Sequence, residues 1–211
     1  MQIVVVADGL LKDELLSNGI QDNVEISWVK DVNDLVSHKN ADAFIDLSFN
    51  GEPDRVELLQ QFLPKPVILN SVTHTLQELG YPFVRINAWP GFLKGQSIEA
   101  SVLNEEAAKK AAAVLNALNK KLKWVKDEPG FISARVLLMI INEAFLAWQE
   151  GVSSKEEIDI AMKMGTNYPY GPFEWAQMIG LGNLANLFEK LKPLYPRYQP
   201  ASSILSSAGK E

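Results

Sequence analysis

The sequence predicts an α/β domain with a parallel sheet, followed by an all-helical domain. Residues 1–125 alternate short apolar runs, typical of buried strands, with segments of helical periodicity. From about residue 129 the strand patterns stop, and only helical segments follow. We therefore expect two domains, formed by residues 1–125 and 126–211.

The predicted strands of the first domain are short apolar runs. The earliest, IVVVA at residues 3–7, is rich in β-branched residues, as a parallel strand buried on both faces requires. Further strands are predicted at residues 24–29, 42–49, 65–70 and 82–87. The run SIEASVL at residues 97–103 could extend the sheet.

Three helices are predicted in the first domain. LLKDELL follows the first strand at helical spacing, and Pro53 opens a second helix that Pro64 ends. A longer, Ala-rich helix spans residues 104–121, with Asn104 as its N-cap and Glu105 in the first turn, where the helix dipole favours acids. The first two helices supply crossovers of the kind that a parallel sheet needs.

Four helices are predicted in the second domain. The first, PGFISARVLLMIINEAFLAWQEG, ends at Gly151 and is apolar on most sides, so it is expected to be largely buried. Ser154 caps the second helix, and Gly171 and Pro172 open the third. The fourth, LANLFEKLK, ends at Pro193. The remaining Pro- and Ser-rich segment is expected to wrap the surface or fray.

Composition narrows the class of protein. The chain of 211 residues is 47% hydrophobic, contains no cysteine and has a formal net charge of −6. The lack of cysteine excludes disulfides, thiolate catalysis and cysteine-ligated metal. The two histidines, His38 and His74, lie far apart in sequence and predict no metal site. The negative charge argues against nucleic acid as a partner, and the lysines between residues 109 and 126 are interpreted as a solvated face.

The sequence also predicts a location. No apolar run approaches the roughly 18 residues of a membrane span, so no membrane association is expected. The start, MQIVVVADGLL, lacks a basic segment and reaches Asp8 too soon for a signal peptide. Together with the absence of cysteine, these features favour the cytoplasm.

Two segments of the second half carry a family resemblance. They are DEPGFISAR at residues 127–135 and SSKEEIDIAMKMGTNYPYGPFEWAQMIGL at residues 153–181. Both are similar to the C-terminal domain of the 3-hydroxyacyl-CoA dehydrogenases. The resemblance implies a Rossmann-like first domain and a helical domain of the 6-phosphogluconate dehydrogenase C-terminal-like type. In this family the helical domain is also the dimerisation surface, so a homodimer is expected.

The turn YPYGPFE within the second segment has a physical explanation of its own. Gly171 allows a close approach or a positive φ, and Pro172 suits the first position of a helix. Glu174 is well placed for the dipole of that helix. The turn is therefore interpreted as a feature of the fold and not as part of the chemistry.

The resemblance also implies a His-Glu pair that moves a proton while a hydride passes between NAD and an acyl-CoA. The family histidine precedes its glutamate by twelve residues, and here that spacing runs from Asn87 to Glu99. The glutamate persists, but an asparagine can donate a hydrogen bond and cannot carry the proton. His74, which follows the fourth strand, is a speculative replacement base, and a loop or helix-start histidine is the simpler interpretation.

The implied cofactor site is degenerate. Aligned on Gly-x-Gly-x-x-Gly, the chain reads ADGLLK after its first strand, so only Gly9 remains. Asp8 would place a negative charge beside the expected phosphates. The spacing between the first and third strands is shorter than in the family, which implies a truncated Rossmann-like domain. Gly9, Asp46 and Asn70 are the weak candidates for cofactor contacts.

Two main hypotheses follow, and a weaker third is an enzyme of another class that has reused the cleft. In the first, the chain is a degenerate homologue without dehydrogenase activity or cofactor, which binds an acyl-CoA-like ligand or acts as a dimeric partner. In the second, it is an active NAD-dependent 3-hydroxyacyl-CoA dehydrogenase of fatty-acid metabolism, with His74 or Asp46 in place of the missing base. The sequence leaves open whether the chain is an enzyme, and NADH binding would discriminate between the two.

Overall fold

The structure is a computed structural model that describes residues 1–208. The chain divides between Phe131 and Ile132 into two compact units. Residues 126–131 were expected in the helical domain, but they lie with the first unit. The backbone N–H of Gly130 donates to the carbonyl oxygen of Val72 at 2.7 Å and ties this segment to the first unit. Among residues 1–208, no helix combines the length and apolarity that a membrane span needs.

The first unit contains one sheet with helices around it. Its strands are β1 (Gln2–Val6), β2 (Glu25–Val29), β3 (Ala43–Asp46), β4 (Val67–Asn70), β5 (Val84–Ile86), β6 (Ser97–Ser101) and β7 (Lys121–Trp124). Its helices are α1 (Gly9–Leu16), α2 (Pro53–Gln60), α3 (Leu76–Leu79) and α4 (Glu105–Ala117), with a 3-10 helix at Val32–His38. All the strands and helices predicted for this domain are present, but the Ala-rich helix ends at Ala117 and not at residue 121, because the chain turns there into β7.

The strand order is β2-β1-β3-β4-β5-β6-β7. Strands β1 to β5 are parallel, as predicted, whereas β6 runs antiparallel to β5 and β7 pairs parallel with β6. The order reverses beside β1, because β2 and β3 flank it on opposite sides. Open α/β sheets bind ligands at such a switch point, outside the carboxyl ends of the strands.

Apolar side chains cover both faces of the sheet. Ile3 and Val5 of β1 pack into one hydrophobic cluster with α1 and α4, and Val4 and Val6 pack into a second cluster with α2 and α3. Because successive side chains of a strand point to opposite faces, a strand buried on both sides must be apolar at every position. This requirement explains the β-branched run.

Strand β7 is absent from the sequence-based prediction. Its sequence, KLKW, exposes Lys121 and Lys123, and lysines on an edge strand oppose pairing with another chain. Lys120 is different, because it is fully buried. The interpretation of the basic residues as a solvated face is therefore wrong at Lys120.

Lys120 and Glu14 hold the loop that joins β5 to β6. The ammonium group of Lys120 donates to the carbonyl oxygens of Leu93 and Gly95, and also to the carbonyl oxygen of Glu14 at 3.2 Å. The carboxylate of Glu14 accepts the backbone N–H of Gly91 at 2.7 Å. Asn87 begins this loop and Glu99 follows it on β6, so the charged cluster helps to fix both.

The second unit is helical. It comprises α5 (Ser133–Gln149), α6 (Lys155–Thr166), α7 (Pro172–Ile179), α8 (Leu181–Leu191) and α9 (Ser202–Ala208). The four predicted helices are present, but the Pro- and Ser-rich segment contains α9, which the sequence did not predict. Buried Asn142 of α5 anchors the chain before α9, since its side chain accepts from Ala201 N at 2.7 Å and donates to Gln199 O at 2.9 Å. Residues 209–211 lie outside the described part.

The turn before α7 is one capping arrangement. The buried carboxylate of Asp159, on α6, accepts the backbone N–H groups of Phe173 at 2.8 Å and Glu174 at 3.2 Å. Glu174 in turn accepts the N–H of Gly171 at 2.8 Å. These contacts satisfy backbone donors that a helix start leaves unpaired. A side chain at Gly171 would place its Cβ 2.2 Å from Cγ of Asp159, so the motif supports the fold interpretation.

We predict that Gly171→Ala destabilises the protein by about 1–3 kcal/mol, because the added methyl group collides with the Asp159 carboxylate. Gly165→Ala is the matched control. Gly165 lies in α6, and a methyl group added there would meet no atom within 4 Å, so alanine should be neutral or stabilising by up to about 1 kcal/mol. Urea denaturation of both variants measures the difference. Equal stability of the two would contradict this account of the turn.

The stability of the first unit should also depend on the charge of Glu14. Burial raises the pKa of Glu14, although backbone N–H groups and two lysines oppose the shift. One of its oxygens, Oε2, is buried without a hydrogen-bond partner among the described residues. A carboxyl group whose pKa is higher in the folded state stabilises the fold while protonated, and this contribution is lost as the pH rises through the raised pKa.

We predict that Glu14→Gln removes this pH dependence, because the amide carries no charge. The free energy of unfolding of the variant, relative to the wild type, should therefore increase between about pH 5 and about pH 7.5. Denaturant titrations at both pH values provide the measurement. A difference that stays constant or falls with pH would show that ionised Glu14 is well accommodated.

Candidate functional site

The carboxyl ends of the parallel strands bring several of the predicted site residues to one edge of the sheet. Gly9 follows β1, Asp46 ends β3, Asn70 ends β4, and Asn87 follows β5. Glu99 lies on β6, and its carbonyl oxygen accepts the backbone N–H of Asn87 at 3.1 Å. This edge is where open α/β sheets place ligands, so it is the candidate site.

Asn87 and Glu99 contact each other through their side chains. The amide nitrogen Nδ2 of Asn87 donates to Oε2 of Glu99 at 3.2 Å, and Oδ1 of Asn87 accepts the backbone N–H of Trp89 at 3.4 Å. Asn87 is only 2% exposed. Its amide therefore uses both a donor and its acceptor inside the first unit, and it holds no proton that it could exchange near neutral pH.

Asn70 has a structural role at the same edge. Its Nδ2 donates to the carbonyl oxygen of Leu47 at 3.0 Å, and its Oδ1 accepts the backbone N–H of Ala88 at 3.0 Å. One side chain thus joins the ends of β3, β4 and β5. The described bonds direct this amide to the backbone, and its assignment as a cofactor contact stays a prediction.

Asp46 belongs to a buried ion pair. Arg55, in the first turn of α2, donates Nε to Oδ2 of Asp46 at 2.7 Å and Nη2 to Oδ1 at 2.6 Å. The carboxylate is fully buried and also accepts the N–H of Ser48 at 3.1 Å. Burial raises the pKa of Asp46, and the Arg55 guanidinium opposes that shift. Both carboxylate oxygens of Asp46 accept hydrogen bonds from Arg55, so the structure offers no support for the hypothesis that Asp46 replaces the catalytic base.

His74 lies half-buried in the loop between β4 and α3. Its Nδ1 is 3.1 Å from the hydroxyl oxygen of Thr73, and its ring is edge-on to Phe49 with 6.5 Å between centroids. The ring also lies against Gly51, where an added Cβ would be 2.3 Å from Cε1. These contacts favour the interpretation of His74 as a packed loop histidine.

The turn after β1 does not fit the pyrophosphate of a dinucleotide. Asp8 is the N-cap of α1, and its side chain accepts the backbone N–H of Leu11 at 3.0 Å. A dinucleotide fold instead presents such N–H groups to phosphate through a glycine-rich turn. Space remains at Gly9, since an added Cβ would meet no atom within 4 Å. The turn therefore fails to fit a pyrophosphate because of its negative charge, and not because space is lacking.

Sequence analysis missed the charged residues that organise this edge. Arg85 is fully buried in β5, and its guanidinium binds Asp127 at 2.8 Å and the carbonyl oxygens of Ser71 and Val72. The available signal was a single arginine inside the apolar run PFVRIN, because a buried charge requires partners. Among residues 1–208, no cluster of three or more His, Asp or Glu side chains could hold a metal ion.

Comparison with known proteins assigns the helical unit. Residues 130–210 match the family described as "3-hydroxyacyl-CoA dehydrogenase, C-terminal domain". The 3-hydroxyadipyl-CoA dehydrogenase of Escherichia coli K12 is 38% identical over 133 residues, which cover 62% of this chain and 28% of that protein. A probable 3-hydroxybutyryl-CoA dehydrogenase of Bacillus subtilis is 42% identical over 94 residues, 44% of this chain and 33% of that protein. The chain thus spans less than half the length of these curated relatives.

Solved structures resemble the whole chain in fold. The (S)-3-hydroxybutyryl-CoA dehydrogenase of Ralstonia eutropha superposes with a TM-score of 0.72 over 99% of this chain and 93% of that protein, at 22% identity. A 3-hydroxybutyryl-CoA dehydrogenase of Escherichia coli K12 gives a TM-score of 0.59 at 32% identity, over 68% of this chain and 32% of that protein. The helical domain is therefore similar to the C-terminal domain of the 3-hydroxyacyl-CoA dehydrogenase family, and the first unit shares the Rossmann-like fold of the solved structures of that family.

Proposed function

We propose that the chain is a member of this family that does not oxidise its ligand. The contact between Asn87 and Glu99 carries the proposal. Oxidation of a hydroxyl group needs a side chain that accepts its proton, with a pKa near the working pH. An amide hydrogen-bonded to a carboxylate provides no such group.

The other polar groups of the edge support the same proposal. Asp46 is enclosed by Arg55, and Asn70 is bonded to the backbone of neighbouring strands. Asp8 caps α1 where a dinucleotide would need an open helix start. These residues stabilise the edge and leave it without the charge pattern that a nicotinamide dinucleotide requires.

We further propose an acyl-CoA thioester as the ligand and the cytoplasm as the location. The named relatives act on 3-hydroxyadipyl-CoA and 3-hydroxybutyryl-CoA, and the family match covers the helical domain at residues 130–210. The location rests on composition, in particular the absence of cysteine.

A homodimer is the proposed assembly, formed through the helical domain. Ile160 and Met164 lie one turn apart on the same side of α6 and are 52% and 83% exposed. Two large apolar side chains held in water at this spacing form a stripe that a second helix would cover. The family resemblance favours a second copy of the chain as that partner.

One observation favours an active NAD-dependent dehydrogenase as the second candidate. Dinucleotide folds place an acidic residue about 20 residues after the glycine turn, where it binds the ribose. Asp31, which follows β2, lies near that distance from Gly9 and is exposed. NADH binding is therefore the property that separates the two candidates.

We predict that the purified chain binds an acyl-CoA thioester but not NADH. Acetoacetyl-CoA should raise the thermal midpoint, since ligand at roughly 100 times its dissociation constant adds about 2.7 kcal/mol of stability. Free CoA is the matched control for the acyl group. Titration with NADH, followed by its fluorescence, should show no saturation. Micromolar NADH binding would support the second candidate. A thermal midpoint that no thioester changes would contradict the proposal that the ligand is an acyl-CoA thioester.

We predict that Met164→Asp converts the dimer into a monomer, because a charge placed in an apolar interface must be desolvated. Leu103→Asp is the control, since Leu103 is a comparably apolar residue of the first unit and is 48% exposed. Sedimentation velocity over a range of concentrations measures both variants against the wild type. A wild-type monomer, or a dimer that Met164→Asp leaves intact, would contradict the assignment of the interface to α6.

A further inference from the structure

We propose that Asp8 excludes dinucleotide phosphates from the switch point of the sheet, and that it does so by charge and not by bulk. This inference rests on the proposed function, because it explains why a Rossmann-like sheet would bind no NADH. It assigns a specificity-determining role to one residue of the first turn.

The charge of Asp8 lies at the start of α1. Its carboxylate accepts the backbone N–H of Leu11 at 3.0 Å, so a negative group of the chain itself occupies the helix N-terminus. The partial positive charge at a helix N-terminus stabilises one nearby anion. A pyrophosphate placed there would lose a backbone donor to Asp8 and would be repelled by its carboxylate.

Bulk is not the obstacle in this turn. Gly9 and Leu10 are exposed, and Asp8 is also accessible to solvent. A Cβ added to Gly9 would have no neighbouring atom within 4 Å, so the space that the glycine leaves above the turn is open. Steric exclusion would require side chains in that space.

An asparagine separates charge from structure at this position. Asn and Asp are similarly good N-cap residues, so Asp8→Asn keeps the bond to Leu11 and the start of α1 while it removes the negative charge. Asp22→Asn is the matched control. Asp22 is exposed and follows the C-terminal end of α1, so this variant changes the net charge equally but far from the turn.

The experiment compares the wild type, Asp8→Asn and Asp22→Asn with two probes. Inorganic pyrophosphate is titrated by calorimetry, and NADH is titrated by fluorescence. We expect Asp8→Asn to bind pyrophosphate at least about tenfold more tightly than the wild type, because a unit charge a few ångströms away is removed. The gain should shrink at about 1 M salt, where charges are screened within about 3 Å. Asp22→Asn should match the wild type.

Each outcome decides the inference. If Asp8→Asn binds pyrophosphate no better than the wild type, or if Asp22→Asn gains equally, the assignment to Asp8 is overturned, while the proposed function stands. If the wild type itself binds NADH at micromolar concentration, the proposed function fails, and the inference fails with it. Circular dichroism of Asp8→Asn verifies that the variant keeps the wild-type fold.

Discussion

A hydrogen bond joins the side chains of Asn87 and Glu99 at the edge of the sheet, and it limits what this edge can do. A histidine beside a carboxylate would form a pair that titrates near neutral pH. An amide in the same place positions the carboxylate but exchanges no proton. Under the proposed function, the edge therefore holds a carboxylate whose neighbour is an amide and not an imidazole that would carry the proton.

Buried charges, and not apolar contacts alone, place this pair. Arg85 lies one residue before the end of β5. Its guanidinium donates hydrogen bonds to the carbonyl oxygen of Ser71, in the loop after β4, and to the carboxylate of Asp127. Lys120 and Glu14 hold the loop that follows Asn87. Removing one partner of such a buried group costs about 3–5 kcal/mol, because the remaining charge stays uncompensated. These buried charges therefore help to fix the geometry of the edge.

The sequence predicted the elements that depend on local patterns and missed those that depend on distant partners. The apolar runs of β1 to β5 and the capped helices carry their own periodicity, so their positions followed directly. Strand β7 forms because it pairs with β6, and its lysines interrupt the apolar pattern by which a strand is predicted from sequence. The pair of Asp46 and Arg55 depends on the packing of α2 on the sheet, which no spacing reveals. The twelve-residue separation of Asn87 and Glu99 did locate a contact, because the two antiparallel strands return to the same edge.

The most direct test of the central claim is a turnover assay with NAD and 3-hydroxybutyryl-CoA, comparing the wild type with Glu99→Gln. We expect NADH formation by the wild type to equal the background without protein, and Glu99→Gln to leave it unchanged. NADH formation that the wild type supports and Glu99→Gln abolishes would contradict the account, since Glu99 would then be assisting a proton carrier.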